Sequence, residues 1–300
     1  MRTATELTSS PPPEFAVSQF TTWHLTFEQD IELYQRLGIS AMELCERKLS
    51  TNSEQARRQL QKLKDAGIRV CSVQPRVHAL FRDSMCPELV EPEARMEEFR
   101  KTIDWVSREF PGQNLPLVTL TGAAPNRNFR RARDTAMCLY PALADYAAER
   151  GVRLMLEPLH PMFMNTDTFI CSLRDARQLV EAINRENFGL AIDVFHIFHE
   201  PGIAQRLAEL IDRIFAAHLS DWPTNHPRMP ADRLLPGDGC IDLPAIFSGI
   251  AKSGYRDAYT LEIFSSDELP DSLWRQDPAD VIQRGRNGFL SAWNQREQHA

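Results

Sequence analysis

The 300-residue chain has no Cys-x-x-Cys pair; its six cysteines, Cys45, Cys71, Cys86, Cys138, Cys171 and Cys240, are widely dispersed. A zinc knuckle therefore lacks its required spacing, and so does a cysteine nucleophile. Cys45, Cys71 and Cys171 sit in or beside apolar runs, where a thiol acts as a small hydrophobe, and all six are expected to be reduced and structural. Long hydrophobic runs are missing too, because charges or prolines break every candidate well before the ~18 residues of a membrane span. The N-terminal MRTATELTSSPPPEF has no apolar centre of the signal-peptide kind, so a cytoplasmic protein is expected. Positive charge is in short supply: 34 Lys plus Arg against 41 Asp plus Glu give a net −7. That field repels polyanions and anionic bilayers, so neither nucleic acid nor a membrane is an expected partner. Glycine fingerprints of a dinucleotide fold or a P-loop are absent, and the PGDG at 236–239 is too short and wrongly placed for either.

What is present is an ordinary globular composition, with 43% apolar and 25% charged residues, enough to bury a large core. Residues 1–14, with Ser, Thr and three consecutive prolines, read as a flexible N-terminal arm. From residue 15 to 300, β-prone runs alternate with segments of helical period. The runs lie at 15–22, 39–45, 68–74, 116–122, 152–158, 188–196, 214–220 and 258–264. Helices are expected at 27–37, 53–66, 93–110, 129–150, 172–185, 202–212, 242–253 and 278–296. Gly38 and Gly67 suit left-handed helix ends, and Ser53 and Asp242 suit N-caps. Eight strand and helix units, without a composition break, favour an α/β fold made of a single (β/α)8 TIM barrel over two doubly wound domains. In such a barrel the loops after the strands form the working face. Those at 75–91, 221–241 and 265–277 are long enough to act as lids.

Four apolar runs end in metal-ligating side chains: LMLEP in Glu157, LAIDVF in Asp193, AAHLSD in His218 and TLEIF in Glu262. Singly, each carboxylate reads as a helix cap or salt-bridge partner, and His218 as a core histidine. Together they need a common partner, because an unpaired buried carboxylate costs several kcal/mol or is forced neutral. The spacings of 36, 25 and 44 residues are about one strand-plus-helix unit each, so the four would converge from adjacent staves. Three carboxylates with one imidazole suit one divalent ion, Mn²⁺ first, with Mg²⁺, Co²⁺ or Zn²⁺ accommodated. On an octahedral ion two positions stay open.

The runs LEPLHP, AIDVFH and AHLSDW, with LPGDGCIDLPAIFSGIAKSGYRDAYTLEIF, resemble the sugar isomerase and epimerase superfamily of xylose-isomerase-like barrels. Its members include ketose 3-epimerases, inosose isomerases and dehydratases, and endonuclease IV. The resemblance runs from about residue 15 to the C-terminus. It implies that Glu157, Asp193, His218 and Glu262 hold the metal, and that Glu157 and Glu262 double as acid and base. A keto-sugar or inosose would place its carbonyl and a neighbouring hydroxyl on the open positions, and a proton would move through an enediolate. Epimerisation, aldose–ketose isomerisation and, by loss of a β-hydroxyl, dehydration all follow from that intermediate. The expected function is metal-dependent isomerisation or epimerisation. The alternative is a dehydratase or lyase acting on an inosose, a dehydroshikimate-like compound or a 3-keto-sugar.

By the same resemblance His196, three residues after Asp193, and Arg233, three before Pro236-Gly237, match substrate-contacting residues of the epimerases. The plain readings are a structural histidine and a solvated arginine. Trp23, His24, His160 and Met162 follow strands one and five and are candidates for the pocket wall. His78, Phe81 and Trp274 lie in the long loops as closing groups or as packing anchors. A loop aromatic can equally meet a second subunit, so a homo-oligomer stays open. A phosphodiesterase of the endonuclease IV kind is the remote alternative. Its additional histidines are not all found, since strand four ends in TLTGAAP and Arg233 occupies the region of its Asp-x-His pair.

Overall fold

The computed structural model describes residues 12–225 and 227–296, so most of the expected 1–14 arm lies outside them. Eight parallel strands close into a barrel in chain order: β1 (Phe15–Ser18), β2 (Ala41–Cys45), β3 (Arg69–Gln74), β4 (Pro116–Thr119), β5 (Arg153–Leu156), β6 (Phe188–Asp193), β7 (Ile214–Leu219) and β8 (Tyr259–Leu261). Around them run α1 (Phe27–Leu37), α2 (Ser53–Asp65), α3 (Pro92–Glu109), α4 (Phe129–Ala148), α5 (Leu173–Ile183), α6 (Val194–Ile197), α7 (Ile203–Ala208), α8 (Leu243–Lys252) and α9 (Pro278–Gln295). Nearly every strand residue is buried, as parallel strands covered on both faces must be. No helix among the described residues is long and apolar enough to cross a membrane.

Local chemistry sets the boundaries. Thr26 and Gln29 form a reciprocal capping box on α1, and Gly38 ends that helix at φ +63°. Asp242 caps α8 through Ala245 N. On α2 the cap is Asn52, one residue before the expected Ser53, because its carbonyl oxygen reaches both Glu54 N and Gln55 N. The strands are shorter than the apolar runs, since side chains take over the ladder at the rim. Thr21 Oγ1, for example, donates to Leu261 O and accepts from Ile263 N.

The expected sixth strand, 188–196, stops at Asp193 and continues as the single turn α6. Asp193 starts this turn by accepting from Phe195 N. Glu14, expected in the arm, is instead tied to the barrel floor by Ser40 (2.6 Å) and Arg69 (2.6 Å). The described part of the chain is thus one barrel, and its loop-bearing rim carries the site.

Candidate metal centre

Glu157 directly follows β5, Asp193 ends β6, His218 is the penultimate residue of β7 and Glu262 directly follows β8. Asp193 and His218 are register partners across the β6–β7 ladder, and Glu262 N bonds Leu219 O. One ligand atom from each of the four residues lies within 4.8 Å of the others, and all four residues are buried. His218 Nδ1 stands 3.6 Å from Glu157 Oε1 and 3.7 Å from Glu262 Oε2, too long for hydrogen bonds. His218 Nδ1 and Glu157 Oε1 have no hydrogen-bond partner although both are buried. Two buried ligand atoms without hydrogen-bond partners beside one point, with two more carboxylates around it, fit a divalent cation.

A fifth acid belongs to the centre and escaped the sequence reading. Glu43, in the middle of β2, is fully buried and bonds His218 Nε2 at 2.9 Å. It also accepts from Ser72 Oγ (2.8 Å) and Gln74 Nε2 (3.3 Å), and the same Gln74 nitrogen reaches Glu262 Oε1 at 3.3 Å. A β-bulge sets this register: Met42 faces Val70 and Glu43 faces Ser72, leaving Cys71 unpaired. Holding the Nε2 proton on the Glu43 side turns the Nδ1 lone pair toward the centre. The available signal was a glutamate inside the apolar run AMELC.

Arg233 is only 5% exposed. Its Nη1 donates to Asp193 Oδ2 (2.6 Å) and Glu262 Oε2 (3.2 Å), Nη2 meets His196 Nε2 at 3.3 Å, and its plane packs on Phe195 and Phe264. The loop is aimed by paired backbone bonds between Asp221 and Leu234, and Asp221 Oδ1 and Oδ2 gather Ile241 N and Gly237 N. At Gly239 a Cβ would sit 2.3 Å from Trp222 O, so this turn requires glycine.

Burial is the largest influence on every group here. It raises the proton affinity of Glu157, and that of Glu262 strongly. It acts the same way on Asp193 and Glu43, but Arg233 with His196 at the first, and His218 at the second, hold both below the usual carboxylate range. With no cation on Nδ1, His218 is raised well above an ordinary imidazole, burial being outweighed by Glu43 and Glu262, so a cation bound there would displace a proton. Burial drives His196 down to about 3. The centre thus pairs two firmly ionised acids with two proton-avid ones.

A cavity of about 180 Å³ stands above the centre, lined in part by Glu157, Glu262, Gln74, His196, Arg233 and His78. The α6 turn swings His196 inward, with Nε2 3.5 Å from Asp193 Oδ2, where a continuing strand would have turned it away. Trp23, His24 and His160 stand outside the lining. Trp23 stacks on Phe20 and Trp274, His24 is half-exposed on Asp267, and His160 packs on Trp222 and caps Met162 N. Trp274 and Phe81 are packing anchors: the indole donates to Phe20 O and Ile263 O, and Phe81 meets Phe169. Buried Arg95 shapes the loop carrying His78, binding Ala79 O, Cys86 O, Leu89 O and Asp83 Oδ2. The six cysteines are all free thiols.

A family model described as a xylose isomerase-like TIM barrel matches residues 31–289. The chain belongs to this family. Among curated relatives, the inosose isomerase of Bacillus subtilis (strain 168) is 34% identical over 128 residues, 41% of this chain and 44% of that protein. The 3-dehydroshikimate dehydratase of Pseudomonas putida is 24% identical over 272 residues, 86% of this chain and 39% of that protein. This chain spans about half the length of the curated relatives it matches, or less. Among solved structures, the IOLI protein with a binding zinc atom has a TM-score of 0.71 at 20% identity, covering 96% of this chain and 99% of that one. At that identity the likeness speaks for the fold.

Proposed function

We propose that this xylose isomerase-like barrel is a divalent-metal-dependent isomerase or epimerase of a keto-sugar or inosose, moving a proton on the carbon beside a carbonyl. The convergence of Glu157, Asp193, His218 and Glu262 beneath a sugar-sized cavity carries the reading. A divalent ion held there, Mn²⁺ by preference, supplies Lewis acidity that makes a proton next to a ketone removable. Asp193, kept ionised by Arg233, acts as a fixed ligand. Glu157 and Glu262 are the proton carriers, since both border the cavity and burial raises the proton affinity of each. One takes the proton and the other returns it. Arg233 and His196 face substrate oxygens, with Arg233 compensating charge as it grows beside Glu262. The cytoplasm is the proposed setting.

A second reading, a dehydratase or lyase, is favoured by the dehydroshikimate dehydratase match along 86% of the chain. Elimination needs the same base and adds an acid for the leaving hydroxyl. Incubating Mn²⁺-loaded protein with 2-keto-myo-inositol and ketohexoses in D2O separates the two. Deuterium in an isomeric or epimeric product is expected. Ultraviolet enone absorption without such a product would select the lyase and end the isomerase reading.

A further inference from the structure

His78 borders the cavity without a bond to the metal centre. It follows the end of β3, just before the chain pairs with the β4 side again through the bridge between Ala79 and Leu120. Its backbone is held firmly. His78 O accepts from Leu120 N (2.9 Å) and Thr119 Oγ1 (2.9 Å), and Ala79 O accepts from Arg95 Nε at 2.6 Å. Arg95, a cation with no exposed surface, places its donors on three carbonyls and Asp83 of this one loop. Support of that kind fixes the direction of the side chain it surrounds.

The bond made by the ring sets its tautomer. Nδ1 stands 3.2 Å from Pro75 O, and a carbonyl only accepts, so Nδ1 carries the proton. Burial, the largest influence on the group, pulls its proton affinity below the ordinary imidazole range, so the ring is neutral near pH 7 and Nε2 keeps a lone pair. No described residue bonds Nε2. With Nδ1 turned back on the chain's own bend, the edge left to the cavity is the one bearing Nε2. Gln74, His196 and Arg233 are bonded into the metal centre and Ser84 to Asp167, whereas His78 is bonded to neither group. An acceptor held out of bulk water without a donor is unfavourable until a ligand supplies one.

We infer that His78 is a substrate-binding, specificity-determining residue whose Nε2 accepts a hydrogen bond from a hydroxyl of the bound ketone. The inference rests on the proposed function and adds a requirement to it, a hydroxyl on the β3 side of the cavity. A neutral lone pair takes an O–H there and gains nothing from a methylene or a carbonyl oxygen. Analogues deoxygenated or oxidised at that carbon are therefore refused.

Nitrogen-15 NMR of histidine-labelled, Mg²⁺-loaded protein reads the ring directly, His78 being assigned by the signals lost in His78→Gln. A protonated Nδ1 and a bare Nε2 are expected, and whichever of 2-keto-myo-inositol and D-fructose is turned over moves the Nε2 signal upfield. A proton on Nε2 in the free protein, or no shift with that ketone, would overturn the inference. In D2O exchange kinetics His78→Leu is expected to raise KM by roughly tenfold with kcat within about threefold of the parent, because a hydrogen bond common to ground and transition states is lost. His78→Gln, whose amide oxygen can accept the same bond, brings KM back to within about threefold of the parent. Thermal melting checks that both variants fold; if His78→Leu does not, the ligand-induced shift in the parent decides. An unchanged KM in His78→Leu, a loss of kcat alone, or no recovery in His78→Gln would overturn the inference while leaving the metal and proton-transfer reading intact. If the parent turns over neither 2-keto-myo-inositol nor a ketohexose, the proposed function falls and takes the inference with it.

Discussion

The two halves of the barrel bring different chemistry to the same point. β5 to β8 contribute Glu157, Asp193, His218 and Glu262, the groups able to grip an ion. β2 and β3 contribute Glu43, which bonds His218, Gln74, which bonds Glu262, and Ser72, which holds Glu43. A ligand set alone does not make a site. His218 presents an unpaired Nδ1 because a carboxylate on the opposite half occupies its Nε2. The gripping half carries the electrostatic strain of clustered acids, and the supporting half decides where their lone pairs point.

The largest loss is expected at the gripping half. Glu262→Gln is expected to lower kcat by ~10²–10⁴ while most of the fold survives, because the amide keeps the shape but neither accepts a proton nor balances the ion. Steady-state kinetics with a thermal melt check this; near-normal turnover would remove Glu262 from the acid–base pair. In the supporting half, Glu43→Gln is expected to weaken Mn²⁺ binding by ~10–100-fold, read by competition with a chromogenic chelator. Unaltered metal affinity would mean that Glu43 does no more than fill the core.

Acid stability sharpens the contrast further. The folded pKa of His196, about 3, lies below its ordinary 6.5, so the unfolded chain binds more protons between those values. Stability is therefore full above pH 6.5 and falls as pH drops toward 3, by on the order of 2–3 kcal/mol between pH 7 and pH 4. Urea unfolding across that range should show this fall, and His196→Gln should flatten it; an equally steep fall in the variant would assign the acid limb to other groups. The smallest effect is expected at His24→Ala. This exposed side chain pairs with Asp267 and stands outside the cavity lining, so KM and melting temperature should stay near those of the parent.

The gripping half was open to sequence reading because four ligand-type residues close apolar runs about one strand-plus-helix unit apart, a conjunction that single helix caps or salt bridges do not produce. The supporting half was hidden for the opposite reason. Ser72 and Gln74 are mild groups common in any strand, and Glu43 lies inside a run, so only the bulge between β2 and β3 reveals which way it faces. The alternation of runs also made the barrel readable, whereas strand ends were overextended wherever a side chain such as Thr21 replaces a backbone partner. His196 and His160 show the remaining difficulty. Both follow a ligand by three residues, yet the helical turn after Asp193 brings His196 inward, while His160 starts a turn of its own among Trp222 and His199. Backbone direction after the strand separates them, and that is set by contacts distant in the chain.

The proposed function requires one divalent ion held by four side chains from the last four strands. Diffraction from Mn²⁺-soaked crystals at the manganese absorption edge would locate that ion. A single strong anomalous peak bonded to Glu157, Asp193, His218 and Glu262 is expected. A peak elsewhere, or none at full Mn²⁺ loading, would contradict it.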